Sequence, residues 1–119
     1  MKDSHKYKIK SIVYNKRNKD INIKFFDDYT GIISAELLRV ESPSAEVQGH
    51  SPKEKKTILN KNKVSITNIE KVGNYAIRII FDDGHNTGIY TWDYLRKISE
   101  DSSILYKDYL ERVAKISGI

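Results

Sequence analysis

Gly31-Ile32-Ile33-Ser34-Ala35-Glu36-Leu37-Leu38-Arg39 reads in register with Gly88-Ile89-Tyr90-Thr91-Trp92-Asp93-Tyr94-Leu95-Arg96. Each stretch follows an alternating apolar run that ends in an acidic turn. Ile21, Ile23 and Phe25 precede Asp27-Asp28, and Ile77, Ile79 and Phe81 precede Asp83-Gly84. One supersecondary unit therefore occurs twice. Neither copy is large enough to bury its apolar face alone, so the pair predicts a single pseudo-symmetric α+β domain spanning residues 1–119.

Within the first unit (about 7–40), residues 7–13 alternate imperfectly, and the polar stretch 15–20 breaks the run. Ile21, Ile23 and Phe25 then share one face at the period of a strand, which predicts a β-hairpin. Residues 30–33 form a short third strand. Ser34 is placed to cap a helix over 35–40, with Glu36 favoured in its first turn by the helix dipole. The second unit (about 64–98) repeats this plan. Val64, Ile66 and Ile69 open a strand, Gly73-Asn74 turns the chain, and residues 75–81 return. Asp82-Asp83-Gly84 turns again, residues 87–90 form the short strand, and Thr91 caps a helix from Trp92 to about Ile98. The copies differ by one residue: six steps separate Phe25 from Gly31 and seven separate Phe81 from Gly88, which marks a loop insertion.

Residues 41–63 carry both prolines (Pro43 and Pro52), Gly49 and the basic run Lys53, Lys55, Lys56, Lys61 and Lys63. A connection this long and polar is either functional or mobile. Only Thr57-Ile58-Leu59 looks structured within it. Leu105, Tyr109, Val113 and Ile116 recur at helical spacing, which predicts a helix over about 102–116, with Gly118 as a stop signal and the apolar stripe packed on the domain.

Composition narrows the function classes. A hydrophobic content of 39% and a mean hydropathy of −0.58 fit a globular domain. No apolar run approaches the roughly 18 residues that span a membrane. Met1-Lys2-Asp3-Ser4-His5-Lys6 leads into no apolar signal segment, so a cytoplasmic location is expected. The chain has no cysteine, which excludes disulfides, thiolate zinc or iron–sulfur sites and a cysteine nucleophile. The net charge of +5 points weakly to a polyanion. Sixteen of the 21 basic residues are lysine in a chain also rich in Ile and Asn, as a composition-wide bias would produce.

Asp82-Asp83-Gly84-His85 is the densest polar cluster, and acidic groups beside an imidazole are the materials of a metal or acid–base site. Turn chemistry accounts for Asp83, which bonds the backbone, and for Gly84 at a positive φ. Tyr29 stands near the imidazole's place in the first unit, so the turn itself does not need His85. Ser42-Pro43-Ser44-Ala45-Glu46-Val47-Gln48-Gly49-His50 places Ser, Glu and His within nine residues, but no motif orients them. A polar loop leaving a helix explains that segment. Trp92 and Tyr90 read as core, and Arg39 and Arg96 as cations at helix C-termini.

The segment from Val72 through Gly73-Asn74-Tyr75-Ala76 to Gly88-Ile89-Tyr90-Thr91-Trp92-Asp93-Tyr94-Leu95-Arg96, with Leu37 to Val47, resembles the domain of unknown function 971 family. This family is also called the gamma-butyrobetaine-hydroxylase-like N-terminal domain, and the likeness to its stand-alone bacterial form runs from about Ile9 to Ile98. The resemblance implies a small mixed α/β domain. In the family it precedes the oxygenase domain of gamma-butyrobetaine and trimethyllysine hydroxylases and is appended to some P-loop iron–sulfur carriers. In the hydroxylases it holds a structural zinc through three cysteines and a histidine. Those positions correspond here to Ser42, Ser44, Val47 and His85, so only the histidine remains and the thiolate site cannot form. The resemblance then implies that His85 bonds the second turn to the Ser-Pro-Ser loop. The hydroxylase iron and 2-oxoglutarate belong to another domain, and this chain has no His-x-Asp pair to begin a facial triad.

The resulting expectation is a non-enzymatic interaction module with no cofactor and no metal. Its partner is another protein, of iron–sulfur or metallocofactor assembly, and its surface comprises Ser42, Ser44, Glu46, His50, Asp82, Asp83 and His85. Two alternatives stay open. One is a nucleic-acid-binding module using Lys53 to Lys63 and the N-terminal lysines, and the other is a small enzyme or metal-binding protein centred on Asp83 and His85. Homodimerisation through a sheet edge or the terminal helix is also left open.

Overall fold

The alternating runs form two three-stranded antiparallel sheets in a computed structural model that describes residues 6–118. Lys2 and His5 lie outside the described residues. The first sheet has the order β1 (Ile9–Asn15), β2 (Asp20–Phe25), β3 (Thr30–Ser34), and the second the order β4 (Ile66–Val72), β5 (Ala76–Phe81), β6 (Ile89–Thr91). A bulge falls at the same place in both. Ile9 faces Phe25 and Ser11 faces Lys24, leaving Lys10 extra, while Ile66 faces Phe81 and Asn68 faces Ile80, leaving Thr67 extra.

Each third strand runs straight into a helix. Ser34 Oγ accepts the Leu37 amide at 3.0 Å to open α1 (Ala35–Val40), and Thr91 Oγ1 accepts the Tyr94 amide at 3.1 Å to open a longer helix, Trp92–Glu100. That longer helix runs two residues past the sequence expectation. Its strand starts two residues later than expected: Thr87 bonds Ser44, and Gly88 abuts Ser42, in the loop that follows α1.

That loop is where structure and sequence differ most. It contains a four-residue helix α2 (Ala45–Gln48), capped by Ser44 Oγ on the Glu46 amide at 3.1 Å, and a 3-10 turn at Pro52–Glu54. Thr57-Ile58-Leu59, expected to be its structured part, adopts no regular element. We number Trp92–Glu100 as α3 and the terminal helix Ser102–Ile116 as α4. Tyr109 of α4 is buried and donates its hydroxyl to the Ile58 carbonyl, while Arg112 reaches Thr57 Oγ1 at 3.0 Å. The stripe thus packs on the domain as expected through Leu105, Tyr109 and Val113, and only its last member, Ile116, is solvent-exposed.

One apolar cluster unites both sheets with α1, α3 and α4, with Ile21, Ile23 and Phe25 from β2 matched by Ile77, Ile79 and Phe81 from β5. Each such fully buried side chain contributes on the order of 2 kcal/mol. Tyr90 and Trp92 lie in this core, as the sequence suggests.

Candidate functional site

The two units interlock by a reciprocal exchange. Arg39, at the end of α1 in the first unit, bonds Asp83 in the second unit's turn at 2.8 Å. Arg96, at the matching place in α3, bonds Asp27 in the first unit's turn at 2.9 Å. Three residues past each arginine stands a buried serine. Ser42 Oγ lies 2.9 Å from His85 Nε2, and Ser99 Oγ lies 3.0 Å from the Tyr29 hydroxyl. His85 and Tyr29 are equivalent: each is four residues past the strand phenylalanine, and each carbonyl accepts that phenylalanine's amide, at 3.0 and 2.9 Å. Each serine in turn closes on a glycine. A Cβ on Gly88 would sit 2.4 Å from Ser42 Oγ, and one on Gly31 would sit 1.8 Å from Ser99 Oγ, so the repeat's glycines are needed for close approach.

The arginines therefore do more than complement helix dipoles. Arg96 also bonds Glu100 at 2.6 Å, and its guanidinium lies 3.9 Å from the Tyr29 ring centroid, 4.4 Å from that of Tyr7 and 4.9 Å from that of Phe25. Arg39 has a different setting: Lys61 Nζ bonds the same Asp83 oxygen at 2.6 Å, and Arg39 Nη1 is buried without a partner among the described residues. Burial pushes the Asp83 carboxyl up, but hydrogen bonds from Lys61, the His85 amide and Arg39 outweigh it and hold the group far below the usual carboxylate range.

At the joint built on the second unit's turn (the second joint), Ser42 has no exposed surface and His85 is 8% exposed. Burial, with help from the Arg39 charge, lowers the imidazole below its ordinary value, against the raising influence of Glu46 and Asp83. The ring is therefore neutral at pH 7. Its Nδ1 lies 3.2 Å from Glu46 Oε1, and Nε2 accepts the Ser42 hydroxyl hydrogen, while Ser42 Oγ accepts the Ser44 amide at 3.3 Å. Ser44 Oγ meets Thr87 Oγ1 at 2.8 Å, and Thr87 donates to Glu46 at 3.1 Å.

Serine on Nε2 and a carboxylate on Nδ1 is the connectivity of a nucleophile–base–acid relay. The packing opposes that use: Ser42 is closed to solvent, and its counterpart Ser99 keeps the same post against a tyrosine, which is no general base at neutral pH. Zinc does not fit either. Ser42 and His85 satisfy each other, Val47 is a buried hydrocarbon, and no group of three or more His, Cys, Asp or Glu able to hold a metal occurs among the described residues.

Of the surface residues expected from sequence, Ser42, Ser44 and His85 are buried, and Asp83 is engaged by two cations and a backbone amide. Glu46 and Thr87, bonded to each other, form the exposed rim; His50, Asp82 and Asn86 are exposed as well. Sequence reasoning placed Tyr29 opposite His85 but missed its partner Ser99 and the buried Glu41, which pairs with Lys55 at 2.7 Å and with Arg112 at 3.4 Å. The signal for Ser99 was there, since Leu-Arg-x-x-Ser recurs at Leu38 to Ser42 and Leu95 to Ser99.

This arrangement is that of a pseudo-repeated α+β domain locked by a reciprocal exchange between its two units. The profile described as gamma-butyrobetaine hydroxylase-like, N-terminal, matches residues 12–96, and the chain belongs to that family. Two structures determined in solution by NMR are similar to it. One, at 34% identity, covers 100% of this chain and 88% of its own with a TM-score of 0.83. The other, at 36% identity, covers 93% and 87% with a TM-score of 0.76. A crystal structure of a protein of unknown function from Acidithiobacillus ferrooxidans, of the domain of unknown function 971 family, is 33% identical over 77% of this chain and 92% of its own, with a TM-score of 0.66. Among curated proteins, none matches.

Proposed function

We propose that the chain is a non-enzymatic interaction module acting in the cytoplasm, which presents the rim of the second joint to another protein. The observation behind this reading is the closure of the joint: Asp83, His85, Ser42 and Ser44 are engaged with one another or with Arg39 and Lys61, so they stiffen a surface instead of meeting a substrate. Glu46, His50, Asp82 and Thr87 remain to contact a partner. The family's association with P-loop iron–sulfur carriers supports a partner in iron–sulfur or metallocofactor assembly. Affinity capture of the tagged chain from its host, beside a Glu46→Arg, Asp82→Arg variant verified as folded by circular dichroism, tests this. The reading expects one or a few retained proteins, a cofactor-assembly protein among them, lost with the variant. Capture that ignores the variant, or retains nothing above background, refutes it.

A second reading, a serine hydrolase, is favoured only by the Ser42–His85–Glu46 connectivity. Labelling of Ser42 by a fluorophosphonate probe would establish it, and no labelling is expected.

A further inference from the structure

The lysines are not spread evenly. Residues 6–26 contain seven Lys or Arg and a single acidic residue, Asp20, while the rest of the chain is close to balanced. A composition-wide bias toward lysine does not produce such a segregation. Folding brings four of them to one surface: Lys10 and Lys24 lie in the first two strands, Lys6 and Lys8 lead into β1, and Lys16, Arg17 and Lys19 occupy the turn at the far end. Lys6, Lys8, Lys10 and Lys24 are all exposed there, the first three at alternate positions along the chain, roughly 7 Å apart. Lys10 reaches outward as the extra residue of the β1 bulge.

The same surface carries an exposed aromatic group. Phe26 is 62% exposed and has the Lys10 ammonium 5.5 Å from its ring centroid. Beside it opens a hollow of about 480 Å³ lined by Lys6, Tyr7, Lys8, Phe26 and Asp27. Asp27 pairs with Arg96, a cation it shares with Glu100, and Asp28 is the other acid of that turn. Farther along the sheet, Val13 and Ile32 flank Asn22 in one cross-strand row, both exposed. By contrast, the basic run in the 41–63 connection is partly neutralised, with Lys55 on Glu41 and Lys61 on Asp83.

A row of cations beside an exposed ring at the mouth of a hollow is suited to a backbone of phosphates carrying unstacked bases. The cations track the phosphates and the ring takes a base face, which a duplex keeps stacked inside itself. We propose that the β1–β2 face of the first sheet binds single-stranded nucleic acid, with a base stacked on Phe26 and phosphates on Lys6, Lys8, Lys10 and Lys24. This site is separate from the rim of the second joint, so the chain has two working faces.

Fluorescence anisotropy of the intact chain with a labelled single-stranded RNA of about twelve nucleotides tests the proposal. Four phosphate contacts give a slope of about −2.8 in log K against log salt, a loss of roughly fifty-fold between about 50 and about 200 mM. Lys8→Glu, Lys10→Glu, Lys24→Glu should abolish binding, and Phe26→Ala should weaken it about tenfold. These residues are exposed, and a Lys53→Glu, Lys56→Glu chain serves as the control that keeps wild-type affinity. No binding at low salt overturns the proposal, as does an equal loss in the control. A labelled polyglutamate peptide, or vesicles of phosphatidylglycerol and phosphatidylcholine, binding as tightly as the RNA also overturns it, in favour of an acidic protein segment or a membrane surface.

Discussion

The reciprocal exchange makes an unequal prediction for two equivalent aspartates. Asp83→Asn keeps one acceptor for the His85 amide but loses charge-assisted bonds to Arg39 and Lys61, and it turns an amide donor toward two cations. The Asp83 side chain is 18% exposed and that of Arg39 11%, so the pair lies between a surface bridge, worth under about 1 kcal/mol, and a buried one, whose breakage costs about 3–5 kcal/mol. We expect a loss of about 2–3 kcal/mol at pH 7, out of a total of about 5–15 kcal/mol for a domain of this size. That amounts to about 1 M in the urea midpoint. Asp27→Asn should leave the midpoint within experimental scatter, because the Asp27 side chain is 51% exposed and Arg96 keeps Glu100 and three rings. The pH dependence has a definite sign. Asp83 is depressed below its ordinary 3.8 in the fold, so its contribution is complete above that value and lost as pH falls through the lower one. The gap between wild type and Asp83→Asn should therefore narrow only in strong acid. Equal losses for the two variants, or no loss for Asp83→Asn at pH 7, would refute the interlocking described here.

Three further outcomes are expected. Gly88→Ala drives a methyl against Ser42 Oγ at 2.4 Å and should cost about 2 kcal/mol. Combined with Ser42→Ala it should cost about 1 kcal/mol less than the sum of the single losses, read from urea unfolding as a double-mutant cycle; strict additivity would contradict the contact. Ser44→Ala removes both the α2 cap and the Thr87 bond, for about 1–2 kcal/mol, and should speed amide exchange in residues 46–49; unchanged exchange would show that α2 does not depend on its cap. Tyr109→Ala should cost about 3–4 kcal/mol and Tyr109→Phe about 1 kcal/mol, since the phenylalanine loses only the bond to the Ile58 carbonyl. Near-equal losses in thermal unfolding would mean that ring burial contributes little.

The repeat, the caps at Ser34 and Thr91, the acidic turns and the stripe of α4 were legible because each is a local pattern: alternation, a capping residue, a helical period. The joints were not, because Ser42 and His85 are 43 residues apart in the chain and Tyr29 and Ser99 are 70 apart. Local reasoning assigned Arg39 and Arg96 to helix dipoles, which is sufficient within a helix and blind to Asp83 and Asp27 across the fold. Helix α2 escaped notice because four residues hold barely one turn, too little for a period to show. Its cap, Ser44, was visible only as part of a polar loop. His85 was the residue that turn chemistry explained least. The family resemblance implied a bond from the second turn to the Ser-Pro-Ser loop, and the structure makes it between His85 and Ser42.

The joint between Ser42 and His85 is closed, neutral and structural. Titration of the His85 imidazole by two-dimensional NMR, with and without excess zinc, reads out all three properties. The expected result is a midpoint below the ordinary 6.5, a slow fall in stability as pH drops through it, and no zinc-dependent shift of the His85 resonances. A midpoint above 6.5, or stoichiometric movement of those resonances on adding zinc, would contradict it.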